Sequence, residues 1–227
     1  MNNAFSGAIR LLASGDSEVW WIIGTTLRFS LLSTLVAVLP GIPLGAALFQ
    51  GRFHGKRLVV AVVNAVMAMP TVVIGLFVYS FLSRSGPLGG LNQLYAPGGV
   101  IIGQFFLALP LVIAMTYTGL QKLDPRYNET LVSLGAGPAR RMWAIMGEGR
   151  FVILQATLAA FGRVTGEVGV SMMLGGNIRF YTRTMTTTIA LDASKGEFEH
   201  ALSLGLVLLV IALAINFCTH LAVRDDK

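Results

Sequence analysis

The sequence predicts an all-α integral membrane protein with five membrane-spanning helices. Three observations predict it. Hydrophobic residues make up 54% of the 227 and charged residues only 12%, against about 25% charged in soluble domains. The charges are also segregated: residues 29–51, 58–83, 85–121 and 200–223 contain no Asp, Glu, Lys or Arg. Each of these stretches exceeds the roughly 20 apolar residues that a helix needs to cross a bilayer. A soluble fold would need more polar surface, and a disordered chain fewer apolar residues. The single cysteine, Cys218, excludes a disulfide scaffold.

The elements follow in chain order. Residues 1–18 show no basic start before an apolar core, so they do not read as a signal peptide. Ala4, Phe5, Ala8, Ile9, Leu11 and Leu12 suit a short interfacial helix, with Trp20 and Trp21 in an aromatic belt. The first span covers about 19–48, and Pro40 and Pro43 kink it or end its membrane part. The second covers 57–82. Gly86-Pro87, Gly89-Gly90 and Pro97-Gly98-Gly99 mark a loop before the third span at 99–120. The fourth, 151–174, is apolar apart from Arg163 and Glu167, and the fifth covers 201–222. Open sheet edges cannot face lipid, so these spans are helices. Residues 1–227 read as one transmembrane domain.

Orientation comes from Lys and Arg in the loops. One side holds Arg52, Lys56, Arg57, Lys122, Arg126, Arg140, Arg141, Arg150, Arg224 and Lys227; the other holds Arg10, Arg84, Arg179, Arg183 and Lys195. Arg28 and Arg163 lie within spans. The richer side is expected to be cytoplasmic, with the amino terminus outside and the carboxyl terminus inside. Basic loops facing anionic lipid account for the net charge of +6 without a nucleic acid partner.

The expected cytoplasmic loop 121–150 carries the most information. Asp124 before Pro125 is an N-cap followed by a proline at the first helical position. A helix is expected from Pro125 to about Leu134, ended by Gly135-Ala136-Gly137. Pro138 starts a second helix bearing Arg140, Arg141, Met142 and Trp143. Two capped helices with apolar Leu131, Leu134, Met142 and Trp143 read as a docking element, because an apolar stripe on a helix pair needs a partner.

These residues carry a resemblance. Glu129-Thr130-Leu131, three residues, Gly135, nine residues and Ile145 resemble the Glu-Ala-Ala loop of ABC importer permeases. That pattern ends in Leu-Pro, where this chain has Gly147-Glu148. Met69-Pro70-Thr71-Val72-Val73-Ile74-Gly75 and Gly162-Arg163-Val164-Thr165-Gly166-Glu167-Val168-Gly169 resemble span motifs of molybdate, tungstate and sulfate permeases. Gly175-Gly176-Asn177-Ile178-Arg179, with Thr182-Arg183-Thr184-Met185-Thr186-Thr187, looks most similar to the tungstate type. The resemblance covers residues 16–227.

The resemblance implies a type I importer fold and import of a small oxyanion, tungstate, with molybdate, sulfate or another small solute as alternatives. It implies a homodimer in a prokaryotic inner membrane, two cytoplasmic ATPase subunits and an extracytoplasmic oxyanion-binding protein. ATP-Mg would belong to the ATPase; no cofactor is expected in this chain, which contains no G-x-x-x-x-G-K-[ST] phosphate loop. By the same resemblance Glu129, Leu131, Gly135 and Ala136 belong to the ATPase-coupling loop. Arg140 and Arg141 pair with acidic groups on the ATPase or serve only the charge bias of the loop.

The pathway or gate candidates are Pro70, Thr71, Thr116, Arg163, Thr165, Glu167 and Ser171. Pro70 and Pro110 break helix hydrogen bonding within spans, and the hydroxyls could meet a hydrated oxyanion or simply pack helices. Arg163 and Glu167, four apart, share a helix face and form a structural ion pair or a gate element. Asn177, Arg179 and Arg183 are outer-face candidates for the binding protein or the arriving anion, with a solvated loop as the alternative.

No catalytic residue and no metal site are expected. His54, His200 and His220 are far apart, and Cys218 has no ligand neighbour. Gly75, Gly103 and Gly119 read as helix contacts. A self-sufficient secondary carrier would show internal repeats and more intramembrane acids than Glu167. An intramembrane enzyme would need paired carboxylates, metal ligands or a Ser/His set.

Overall fold

The computed structural model describes residues 15–51 and 53–224. The interfacial helix expected near the amino terminus, and Arg52, lie outside the described residues. Among the described residues all regular structure is helical.

Helix α1 (Ser17–Gln50) starts at Asp16, whose carboxylate accepts the Glu18 N–H at 2.7 Å. Pro40 and Pro43 do not end it. The chain then forms α2 (Lys56–Met67) and α3 (Thr71–Leu82), bent by 96° at residues 68–70. The expected span over 57–82 is therefore two helices joined at a sharp bend. Pro70 supplies the break, since it has no N–H to donate and disfavours helix in the residue before it.

A loop with a 3₁₀ turn at Gly89–Leu91 leads to α4 (Pro97–Leu120). Pro110 sits inside α4 and is buried, and the helix continues past it. Next come α5 (Pro125–Ser133) and α6 (Pro138–Glu148), then α7 (Arg150–Thr165), which leaves α6 at 72°. The fourth expected span is interrupted at residues 166–168, and α8 (Gly169–Gly175) completes it. A helix not expected from the sequence, α9 (Met185–Lys195), precedes α10 (Phe198–Arg224).

α1, α4 and α10 are long and apolar enough to cross a membrane singly, and the number reaches five at most if each of the bent pairs α2–α3 and α6–α7 counts as one span. Lipid is as apolar as leucine, so close packing rather than hydrophobic burial joins such helices. Gly41 and Gly45 of α1, four apart, provide that closeness. A Cβ at Gly41 would stand 2.7 Å from Val112 Cγ1, and one at Gly45 2.7 Å from Thr116 Cβ. Gly103 of α4 likewise leaves room for Leu174 and Val170 of α8, and Gly119 for Val152 of α7.

Three apolar clusters result. The central one joins Ala37, Val78, Val112, Val164 and Leu174 from α1, α3, α4, α7 and α8. One end holds Val19, Ile22, Met185 and Leu204, and the opposite end Ala46, Leu120 and Ile145. The first is the Glu18 end of the fold, the second the α5–α6 end.

Candidate functional site

A buried polar network crosses the centre of the fold where the fourth span is interrupted. Unwinding at 166–168 leaves backbone groups without helical partners, and such groups must be satisfied inside an apolar core. Gln104 of α4, fully buried, donates from Nε2 to the Val164 carbonyl at 3.4 Å and to Ser171 Oγ at 3.4 Å. Its Oε1 accepts from Ser33 of α1 at 3.0 Å. Thr186 of α9 donates to the Glu167 carbonyl at 2.8 Å.

Glu167 sits at the middle of this break. Its Oε2 accepts from Arg163 Nη1 at 2.9 Å, and its Oε1 accepts the Val170 N–H at 3.2 Å. The carboxylate thus caps α8 and pairs with the cation four residues earlier. The two partners differ in setting: the Glu167 side chain is 4% exposed and that of Arg163 43%. The geometry contains the ion pair, and Arg163 keeps an open face beside it.

The other central candidates divide. Thr71 opens α3, and its Oγ1 lies 3.2 Å from where a Gly169 Cβ would stand, so the starts of α3 and α8 meet. Pro70 is exposed at the bend just before it. Thr165 is buried and returns its hydroxyl to the Phe161 carbonyl at 2.7 Å. Ser171 belongs to the Gln104 network. Thr116 does not join them: it is twelve residues beyond Gln104 on α4, about 18 Å along the axis. It is fully buried against Gly45, and its Oγ1 has no hydrogen-bond partner.

At the Glu18 end the two arginines are already occupied. Arg179 grips Glu18 with two bonds, Nε to Oε1 at 2.9 Å and Nη2 to Oε2 at 2.5 Å. Arg183 Nη1 donates to the same Oε1 at 3.0 Å. The hydrogen bond to Glu18 raises the Arg179 pKa above its ordinary value. Asn177 is a left-handed turn residue, φ 50°, whose Oδ1 accepts from Thr187 at 3.0 Å. Thr182, Thr184, Thr186, Thr187 and Thr188 are buried, so this stretch is no solvated loop. Thr184 and Thr187 bond reciprocally and cap α9.

At the opposite end α5 and α6 form the expected capped pair. Asp124 accepts the Arg126 N–H at 2.9 Å. The end of α5 is a Schellman turn: Ala136 N–H reaches the Leu131 carbonyl and Gly135 N–H the Val132 carbonyl, both at 3.0 Å. Gly135 has φ +71°, and a Cβ there would meet no atom within 4 Å, so the backbone conformation alone selects glycine.

The expected apolar stripe splits. Leu131 and Met142 turn inward onto Ile145, Leu120 and Ala46, tying the pair to α1 and α4. Leu134 and Trp143 stay outside, 77% and 73% exposed. The split follows from the helix crossing: Tyr127 donates to the Ala144 carbonyl at 3.3 Å and fixes which faces meet. Glu129 and Arg140 are exposed, and Glu129 and Arg141 line one cleft with Gln50 and Asn128.

Sequence reasoning missed Gln104, Ser33 and Glu18, and met Thr186 only within the Thr182–Thr187 motif, not at the break. The one amide inside the third expected span, 99–120, was the available signal for Gln104. No local pattern marks Ser33 or Glu18, whose partners are distant in sequence.

The description "binding-protein-dependent transport system inner membrane component" matches residues 32–224. The chain is 38% identical over 218 residues to the tungstate uptake system permease protein TupB of Campylobacter jejuni, covering 96% of this chain and 91% of that protein. It is 38% identical to TupB of Peptoclostridium acidaminophilum, covering 93% of each. The molybdenum transport system permease protein ModB of Azotobacter vinelandii is 28% identical over 82% of this chain and 87% of its own. Among solved structures, the fold is similar to a chain of the MetNI methionine ABC transporter in an inward facing conformation. The TM-score is 0.74 at 17% identity, over 94% of this chain and 99% of that one. The chain belongs to the family of binding-protein-dependent transport system inner membrane components and is a permease subunit of an ABC importer, a multi-pass protein of the inner membrane.

Proposed function

We propose that this permease forms the translocation pathway for tungstate. The carrying observation is the 38% identity to two tungstate uptake permeases over nearly all of each chain, against 28% to a molybdenum permease. The working unit is a homodimer with two cytoplasmic ATPase subunits and an extracytoplasmic oxyanion-binding protein. ATP-Mg acts in the ATPase. The α5–α6 end is cytoplasmic and receives the ATPase, supported by its exposed Leu134 and Trp143 and its basic Arg140 and Arg141. The Glu18 end faces the binding protein.

The interrupted fourth span suits a moving element. Hydrogen bonds from Gln104 and Thr186 hold the break, so α8 can shift without exposing bare backbone to lipid. The inward contacts of Leu131 and Met142 link the ATPase-facing helices to α1 and α4. Closure of the ATPase pair would thereby reach the core.

The test is uptake of tungstate and of molybdate at nanomolar external anion, with and without this chain, the other subunits kept intact. Loss of tungstate uptake supports the reading. Loss of molybdate uptake alone reassigns the cargo, and no change in either removes both.

A further inference from the structure

Arg28 stands apart from the charges described above. It lies on an exposed face of α1, with no ion pair and no hydrogen bond among the described residues. It lines a cleft of about 450 Å³ between α1, the start of α4 and the chain around residue 180, walled by Trp21, Gly24, Phe29, Ile101, Phe180 and Tyr181. The wall is fixed in place. Trp21 meets Phe180 edge-on at 5.7 Å, the Arg179 guanidinium lies 5.1 Å over the Phe180 ring, and Glu18 holds Arg179.

Arg28 lies eleven residues beyond Ser17, about 16 Å along α1. Its Cα therefore sits below Trp20 and Trp21, within the apolar part of the helix. Helical side chains lean toward the amino-terminal end, so the guanidinium rises toward the level of those tryptophans. The cleft thus has a cation near an aromatic rim and an apolar floor of Phe29, Leu32 and Ile101. A cation in such surroundings favours an anionic partner.

We propose that this cleft binds a phospholipid of net negative headgroup, its phosphate on Arg28 and an acyl chain along the apolar floor. The planar guanidinium matches phosphate oxygens in pairs. Charge complementarity and the apolar floor together select a lipid: a free inorganic anion would leave the floor empty. The site is independent of the cargo.

The test uses the assembled importer, purified, stripped of lipid and titrated with phosphatidylglycerol or phosphatidylcholine, with bound lipid counted by native mass spectrometry. Arg28→Gln removes the charge and Arg28→Lys keeps it. Gly24→Leu fills the cleft, since a Cβ at Gly24 meets nothing within 4 Å. The wild type should hold phosphatidylglycerol in preference to phosphatidylcholine. Arg28→Gln and Gly24→Leu should each weaken it about tenfold, the scale of one charge-assisted contact, and Arg28→Lys should keep most of it. Equal retention in the wild type and both weakened variants overturns the proposal. So does equal affinity for the two lipids, displacement of the lipid by micromolar tungstate, or a cross-link from position 28 to a second copy that lipid does not prevent.

Discussion

Thr186 donates its hydroxyl to the backbone carbonyl of Glu167 at 2.8 Å, while the carboxylate of the same Glu167 accepts from Arg163 at 2.9 Å. One residue thus joins the end of α7, the start of α8 and the first turn of α9.

Removing one member of that ion pair should cost more than removing its charge altogether. Arg163→Ala leaves a carboxylate nearly buried with no counter-charge, and unfolding in detergent should show a loss of about 3 kcal/mol. The double variant Arg163→Leu, Glu167→Gln buries no charge and should recover most of the loss. A double variant no more stable than Arg163→Ala would refute the pairing as the source of the stability.

Gln104→Leu keeps the volume of the side chain and deletes its three hydrogen bonds. Ser33 keeps the Ser30 carbonyl and the Val164 carbonyl keeps the Glu167 N–H, but the fully buried Ser171 Oγ loses its Gln104 partner, a loss of about 1–2 kcal/mol. Hydrogen exchange should quicken around residues 164–171 before it does elsewhere. Uniform exchange across the chain would mean that Gln104 does not hold the break.

Gly135→Ala forces a Cβ into a left-handed position, costing about 1 kcal/mol, all of it local to the turn. Trp143→Ala should leave the melting temperature of the purified chain unchanged, since the ring is exposed. Both should reduce the ATPase recovered with the chain. Wild-type recovery with Trp143→Ala would remove this face from the docking surface.

Glu18→Gln weakens the hold on Arg179 and Arg183. Arg179 is exposed and the amide still accepts hydrogen bonds from both arginines, so overall stability should barely move. Protease sensitivity at residues 176–183 should rise instead. Unchanged cleavage would show that the turn at Asn177 and the bonds of Thr182 suffice to hold the segment.

The helix pair α5–α6 was legible because its signals are local. Asp124-Pro125, Gly135 and Pro138 each state a backbone preference within a few residues, and the helices fall at Pro125–Ser133 and Pro138–Glu148. The bend at Pro70 was legible in position but not in angle. The 96° turn depends on α3 meeting α8 around Gly75 and Val170, a contact between residues about a hundred positions apart. α9 was missed because its first turn is a run of threonines, which are poor helix formers. It is started by the Thr184–Thr187 cap and held by burial against α1, as in the Thr26 hydroxyl that accepts the Met185 N–H at 2.8 Å. Glu18 and Arg179 are 161 residues apart, and nothing in either neighbourhood points to the other.

α2 has twelve residues and none of them is buried. Its inner side leans on α4, and Lys56 Nζ ties its start to the Phe49 and Gly51 carbonyls at 3.2 and 3.1 Å, but its outer side meets nothing of its own chain. That outer side is left for lipid or another subunit to cover. Protomers made in excess of their partners should therefore expose this surface and be more open to quality-control proteases than assembled ones.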